Sequence, residues 1–293
     1  MHSITKHHIS VTIDQTRYQA AYWEAGTGEP IVLLHGFMGR GECWQGLLPY
    51  LQSHYRCICL DMLGFGESSK PMIRYDIAKL VAFVRAFVTA IGISPHGLIG
   101  HSLGGWVSAA YTLAHPETVR SLVLAAPAGI RDDSFCGRYD HLRPLLWETP
   151  IVDVALWLLH PLAQITGQQE SMKQIRWMRR ELNNQPAPRS FILDRIRPED
   201  AIDTVETQIY QIKVPTLVIT GEQDETIPLW HSQTYASEIG RSELVVIPGA
   251  NHALPQQYPA EMAEFLLPFL DRCFDSSQST ASESTASLPF PAS

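Results

Sequence analysis

The chain has 293 residues, 45% hydrophobic and 18% charged, the balance of a globular protein with enough apolar material for a large core. A net charge of −8 and a pI near 5.8 supply no basic face for nucleic acid. Five cysteines without a CxxC pair argue against a disulfide framework or a zinc site, and a reduced, cytoplasmic setting is expected.

The opening MHSITKHHIS has no apolar core of a secretory signal, and His7 and His8 read as part of a solvated terminus. Residues 11–13 and 18–23 predict two antiparallel strands. Residues 31–34 and 56–60 are short, continuous apolar runs of the kind covered on both faces, with Cys57 and Cys59 acting as small hydrophobes. A helix over 75–91, a strand over 95–99, a helix over 103–114 and a strand over 121–126 continue a βα rhythm.

From 129 to 212 that rhythm gives way to helical, Trp- and Pro-rich text. Its most lipophilic stretch, 154–165, is interrupted by His160 and Pro161 and falls short of the roughly 20 apolar residues of a membrane span. Strands resume at 214–220 and 244–247, and a helix over 258–274 closes the sheet. The expected class is α/β: a mostly parallel central sheet with helices on both faces. It divides into core (1–128), helical insertion (129–212), core (213–273) and a disordered Ser/Thr/Ala-rich tail (274–293). The insertion enters at the sheet end where open α/β folds bind ligands, so it is expected to form a cap.

Gly100-His101-Ser102-Leu103-Gly104 lies between the strand ending at 99 and the helix starting at 103. This is the setting of a nucleophile elbow, where a strained serine needs flanking glycines so that strand and helix can approach. A serine hydroxyl needs a base, and the base needs an orienting acid. In the chain order serine, acid, histidine, Asp224 follows the 214–220 strand and His252 follows the 244–247 strand.

Glu222 and Glu225 are rival acids, whereas Asp132, Asp133, Asp140, Asp153, Asp200 and Asp203 lack the strand-end position. His101 reads as structural. Backbone N–H groups of Leu103 and of Phe37, in the turn His35-Gly36-Phe37, are the expected oxyanion donors. Residues 61–68 contain glycines but no P-loop lysine, so Asp61 reads as part of a shaped turn.

The His-Gly-Phe turn, residues 61–68, Gly-His-Ser-Leu-Gly-Gly, Gly-Glu-Gln-Asp and Asn-His together resemble the α/β-hydrolase superfamily over about residues 15 to 272. The resemblance implies the α/β-hydrolase fold, a Ser102, Asp224 and His252 triad, and Phe37 and Leu103 as oxyanion donors. Serine at the elbow differs from the dehalogenase and epoxide hydrolase branches, which use a carboxylate. Residues 35–44 are similar to the oxyanion loop of the menaquinone-pathway lyase, although Trp106 stands where that enzyme usually has an arginine. Residues 122–129 are similar to carbon-carbon hydrolases, whose elbow usually reads Gly-Asn-Ser-Met-Gly.

The expected activity is hydrolysis of a small to medium apolar carboxylic ester or thioester through an acyl-enzyme, with neither cofactor nor metal. Trp106, Trp147 and Trp157, with Leu156, Leu158 and Leu159, are the candidate substrate-binding residues. Carbon-carbon cleavage or lyase chemistry with the same triad, and a ligand receptor on a hydrolase scaffold, are the alternatives.

Overall fold

The computed structural model describes residues 4–135, 140–147, 149–194 and 203–282. Its strands are β1 (Thr5–Ile13), β2 (Thr16–Ala25), β3 (Glu29–Leu34), β4 (Tyr55–Leu60), β5 (His96–His101), β6 (Val119–Ala125), β7 (Thr216–Gly221) and β8 (Ser242–Ile247). They form one sheet in the order β1-β2-β4-β3-β5-β6-β7-β8, antiparallel at β1-β2 and β2-β4 and parallel from β4 onward. The helices are α1 (Leu48–Leu51), α2 (Ile77–Ala90), α3 (Leu103–Ala114), α4 (Ile151–Leu158), α5 (His160–Ile165), α6 (Gln169–Asn184), α7 (Pro186–Asp194), α8 (Leu229–Glu238), α9 (Leu254–Gln257) and α10 (Pro259–Ser282).

The continuous apolar strands feed two cores by simple alternation. Val32, Leu34, Ile58, Leu60, Leu98, Leu122 and Leu124 face one core, where they meet Leu80, Val84 and Phe87 of α2 and Val107 and Tyr111 of α3. Ile31, Leu33, Cys57, Cys59, Ile99, Val123 and Ala125 face the other, against Leu48 and Leu51 of α1 and Leu266 and Leu270 of α10. A sheet covered on both sides needs strands apolar at every position, as these are. Helix α2 starts where the Asp76 carboxylate accepts the Lys79 N–H at 2.8 Å.

Both chain ends differ from expectation. Residues 5–10 are not a solvated lead-in but the first part of β1, paired with β2 from Thr5 opposite Glu24 to Ile13 opposite Thr16. Lys6 pairs with Glu67, and the His7 ring stacks on Tyr22 at 5.1 Å. An edge strand keeps polar side chains, so this one carries no continuous apolar run. At the other end α10 continues through Ser282, so the boundary at 274 falls inside a helix with Phe274 buried; residues 283–293 lie outside the described residues.

Among the described cysteines, Cys43, Cys57 and Cys59 are free thiols. No helix among the described residues is long and apolar enough to cross a membrane, and no group of three or more metal-ligating side chains occurs among them.

Between β6 and β7 the described residues form helices and turns with no strand, and this insertion docks on the C-terminal edge of the sheet. Leu146, Leu182 and Ile192 build a small core onto which Phe37, Met38, Leu145 and Met178 pack. Arg40, just past the β3 turn, reaches Glu181 of α6 at 3.2 Å, and the Ser190 hydroxyl accepts the Tyr75 N–H at 2.9 Å.

Candidate active site

Ser102 sits between β5 and α3 with φ 55° and ψ −116°, a conformation an L-residue adopts only under constraint from its surroundings. Its N–H donates to the Ala125 carbonyl at 2.9 Å, and its carbonyl accepts from Trp106 and Ala128. The flanking glycines are required by clearance. A Cβ on Gly100 would stand 2.2 Å from the Gly104 carbonyl oxygen, and one on Gly104 would stand 2.3 Å from that of Leu34.

The loops after β7 and β8 are tied together before they reach the serine: Glu222 N–H donates to Ile247 O at 3.0 Å and Gln223 N–H to Ala250 O at 2.8 Å. The Asp224 carboxylate is completely buried. Its Oδ1 accepts the N–H groups of Thr226 and Ile227 at 2.8 and 2.9 Å, and its Oδ2 lies 2.7 Å from His252 Nδ1. A carboxylate accepts only, so Nδ1 carries the proton and Nε2 presents its lone pair. That nitrogen is 3.0 Å from Ser102 Oγ. Three residues spread over 150 positions thus form one hydrogen-bonded line.

Four of the rival acids are engaged elsewhere. Glu222 accepts from Gly249 N–H, Asp153 pairs with Arg179, Asp133 with Arg131, and Asp132 with His231. Burial lowers the His231 pKa, so that last contact is a neutral imidazole N–H on a carboxylate. Asp203 accepts weakly from Ile77 N–H at 3.4 Å, and Asp200 lies outside the described residues.

The His35-Gly36-Phe37 turn presses on the elbow: a Cβ on Gly36 would lie 3.2 Å from Ser102 Cβ and 3.0 Å from His101 Nδ1. His35 fixes this turn. Its Nδ1–H donates to Gly36 O at 2.8 Å while Nε2 accepts the Met62 N–H at 3.1 Å, roles open only to a neutral ring, and burial lowers its pKa accordingly. Leu103 opens α3, so its N–H has no intrahelical partner. Neither it nor Phe37 N–H has a hydrogen-bond partner among the described residues. Asp61 is structural, its carboxylate accepting Gly41 and Glu67 N–H groups, both at 2.6 Å.

Two features escaped the sequence. His101 does more than fill space: its Nε2–H donates to the His252 carbonyl at 2.8 Å, and burial first, then the neighbouring His252, push its pKa down to about 3. The signal was present, since alternation puts His101 on the Ile99 side of β5, where the His252 loop lies. The second concerns the tryptophans. Trp147 and Trp157 are 60% and 70% exposed, and Leu158 and Leu159 are exposed as well. The cleft that Trp157 lines runs between α4 and α6 and includes no triad residue. Trp106 is half-buried, with its indole N–H on the Asp203 carbonyl at 3.2 Å, where it anchors the returning end of the insertion. The apolar cluster against which Phe37 packs is instead that of Leu146, Leu182 and Ile192, with Leu145 and Met178 also packed on it.

Comparison with known proteins agrees with this architecture. The profile of the alpha/beta hydrolase family matches residues 31–265. The chain is 27% identical over 269 residues to the 2-hydroxy-6-oxo-6-(2'-aminophenyl)hexa-2,4-dienoic acid hydrolase of Metapseudomonas resinovorans, covering 90% of this chain and 91% of that one. It is 31% identical over 266 residues to the 2-hydroxymuconate semialdehyde hydrolase of Pseudomonas sp. strain CF600, covering 84% and 88%. It is also 26% identical over 254 residues to the monoacylglycerol lipase ABHD6 of Mus musculus, covering 82% and 75%. Among solved structures, a thermophilic esterase from Thermogutta terrifontis superposes with a TM-score of 0.71 at 22% identity, covering 92% of this chain and 99% of that one. With the fold, the elbow and these relatives in agreement, the chain belongs to the alpha/beta hydrolase family and is an enzyme of the hydrolase class.

Proposed function

We propose that the protein is a serine hydrolase of carboxylic esters that works through an acyl-enzyme on Ser102. The observation that carries this reading is the continuous line from Ser102 Oγ through His252 to Asp224, with distances of 3.0 and 2.7 Å. His252 Nε2 takes the hydroxyl proton as Oγ attacks the ester carbonyl, and Asp224 stabilises the imidazolium that results. Phe37 and Leu103 N–H groups receive the negative oxygen of the tetrahedral intermediate. The imidazolium then protonates the departing alcohol. Water, deprotonated by the same nitrogen, releases the acid and restores the serine.

The insertion acts as a cap in this scheme, and Met178, Leu182, Ile192 and Leu146 offer an apolar wall beside the Phe37 turn. That wall favours an aliphatic or aromatic acyl or alcohol group. A panel of p-nitrophenyl esters of increasing acyl length tests the reading: turnover that requires Ser102 supports it, and no turnover at any length refutes it.

The second reading is hydrolysis of a carbon-carbon bond, favoured by the dienoic acid hydrolase and the semialdehyde hydrolase among the relatives. A dienoic acid substrate brings a carboxylate, and Arg189, whose Nη1 donates to Leu146 O at 2.9 Å, puts a cation beside the same apolar wall. Turnover of a vinylogous 1,5-diketone acid with no turnover of esters would select this chemistry.

A further inference from the structure

The most lipophilic part of the insertion is also its most exposed. Ile151, Val154, Trp157, Leu158, Leu162 and Ile165 of α4 and α5 are between 52% and 84% exposed, and α4 has no buried residue at all. Residues 151–165 carry one charged side chain, Asp153, whose carboxylate is held by Arg179 through two bonds of 2.7 Å. An apolar surface of this kind is rarely left to water without a partner.

The neighbouring helix identifies the partner's chemistry. Helix α6 sets Arg176 and Arg180 along the cleft of about 500 Å³ beside Trp157, together with Asn183 and Asn184. Arg176 is braced by donating to Leu156 O at 2.9 Å. No carboxylate pairs with Arg176 or Arg180 among the described residues. These cations are a local exception on a chain of net charge −8. Indole and long aliphatic side chains flanked by arginines match a lipid interface, where the apolar groups enter the acyl boundary and the guanidinium groups meet phosphates. Residues 151–165 are too short to span a bilayer, so they would lie in its surface.

We propose that the α4–α5 face, with the Arg176 and Arg180 cleft beside Trp157, docks on the surface of an anionic phospholipid bilayer. Docking there leaves the other side of the insertion, where Phe37 packs on the Leu146, Leu182 and Ile192 cluster, facing the catalytic edge.

The test uses the full chain carrying Ser102→Ala, so that no lipid is consumed, and sucrose-loaded vesicles of phosphatidylcholine alone or mixed with phosphatidylglycerol. Binding is read by co-sedimentation without turnover, so its outcome is independent of the ester reading. The protein should sediment with the mixed vesicles and less with the neutral ones. Leu158→Ser with Ile165→Ser should weaken binding about tenfold, and Arg176→Gln with Arg180→Gln should abolish the preference for phosphatidylglycerol. All four side chains are exposed, so an unchanged Tm separates lost docking from lost folding. Absence of co-sedimentation with either vesicle overturns the proposal. So does binding that all four substitutions leave unchanged, or a dimer in sedimentation velocity that Leu158→Ser disperses without any vesicle binding.

Discussion

His101 Nε2 and the His252 carbonyl oxygen are 2.8 Å apart, so the residue before Ser102 holds the backbone of His252. The two rings also meet, 4.8 Å between centroids at 41°. Because the donor is an N–H aimed at a carbonyl, a side-chain amide can replace it and a hydrocarbon cannot. His101→Gln should keep most of the turnover, whereas His101→Leu should lower kcat about 100-fold with little change in KM, the scale expected when a catalytic group is misplaced by about 1 Å. Steady-state kinetics on both variants checks this, and equal loss in the two would reduce His101 to packing.

Acid should destabilise the fold through imidazoles that are neutral in it. Burial lowers the pKa of His101 to about 3 and of His96 to about 4, against 6.5 for a free imidazole, and also lowers those of His35 and His231. In the unfolded chain these groups take up protons below pH 6.5, whereas in the folded chain His101 and His96 stay neutral down to about pH 3 and pH 4. Stability is therefore fully present above pH 6.5 and falls as the pH drops toward 4. His101 and His96 each contribute up to about 1.4 kcal/mol per pH unit in that window, and His35 and His231 act in the same direction. Urea midpoints measured from pH 7 to pH 4.5 should decline steadily, and a flat profile would contradict neutral burial.

The elbow glycines should tolerate no side chain. A Cβ at position 104 meets the carbonyl oxygens of Leu34 and His35 at 2.3 and 2.6 Å, both backbone atoms at the end of β3. Gly104→Ala should therefore cost about 3 kcal/mol and spread α3 from the His35-Gly36-Phe37 turn. Thermal unfolding and ester turnover should both fall. Gly240→Ala is the control, since its added Cβ meets nothing within 4 Å and its backbone is not left-handed.

Arg179 organises the insertion from within. Its Nη1 donates to the carbonyls of Leu145 and Trp147 at 2.7 and 3.0 Å, and it is 4% exposed. The Asp153 carboxylate is 64% exposed, so solvent screens that pair and the orphaned carbonyls dominate the effect of substitution. Arg179→Met should speed amide exchange in 145–184 about tenfold or more while β3 to β7 stay protected. Lysine should not rescue it, because one ammonium cannot reproduce the planar fork. Hydrogen exchange read by mass spectrometry distinguishes this local loosening from global unfolding.

Much of this arrangement was legible in the sequence because its determinants are local. Apolar runs such as 31–34 and 95–99 become buried parallel strands, and Ser102, Asp224 and His252 each follow a strand at the same sheet edge. What escaped depends on tertiary contact. The β1 segment Thr5–Ile13 gains its order from pairing with β2 rather than from its own pattern. Leu182 and Ile192 reach Phe37 only because the insertion folds back, and nothing local distinguishes them from Trp147 and Trp157, which face solvent. Large aromatic side chains signal burial on average, and here that preference pointed to the wrong face of the insertion.

The most direct test of the triad is fluorophosphonate labelling followed by peptide mapping of wild type, Ser102→Ala and His252→Ala. A single tag on the peptide containing Ser102, absent in Ser102→Ala and slowed by about 10³-fold or more in His252→Ala, is the predicted result. A tag on any other residue, or labelling that persists undiminished without the Ser102 hydroxyl, would contradict it.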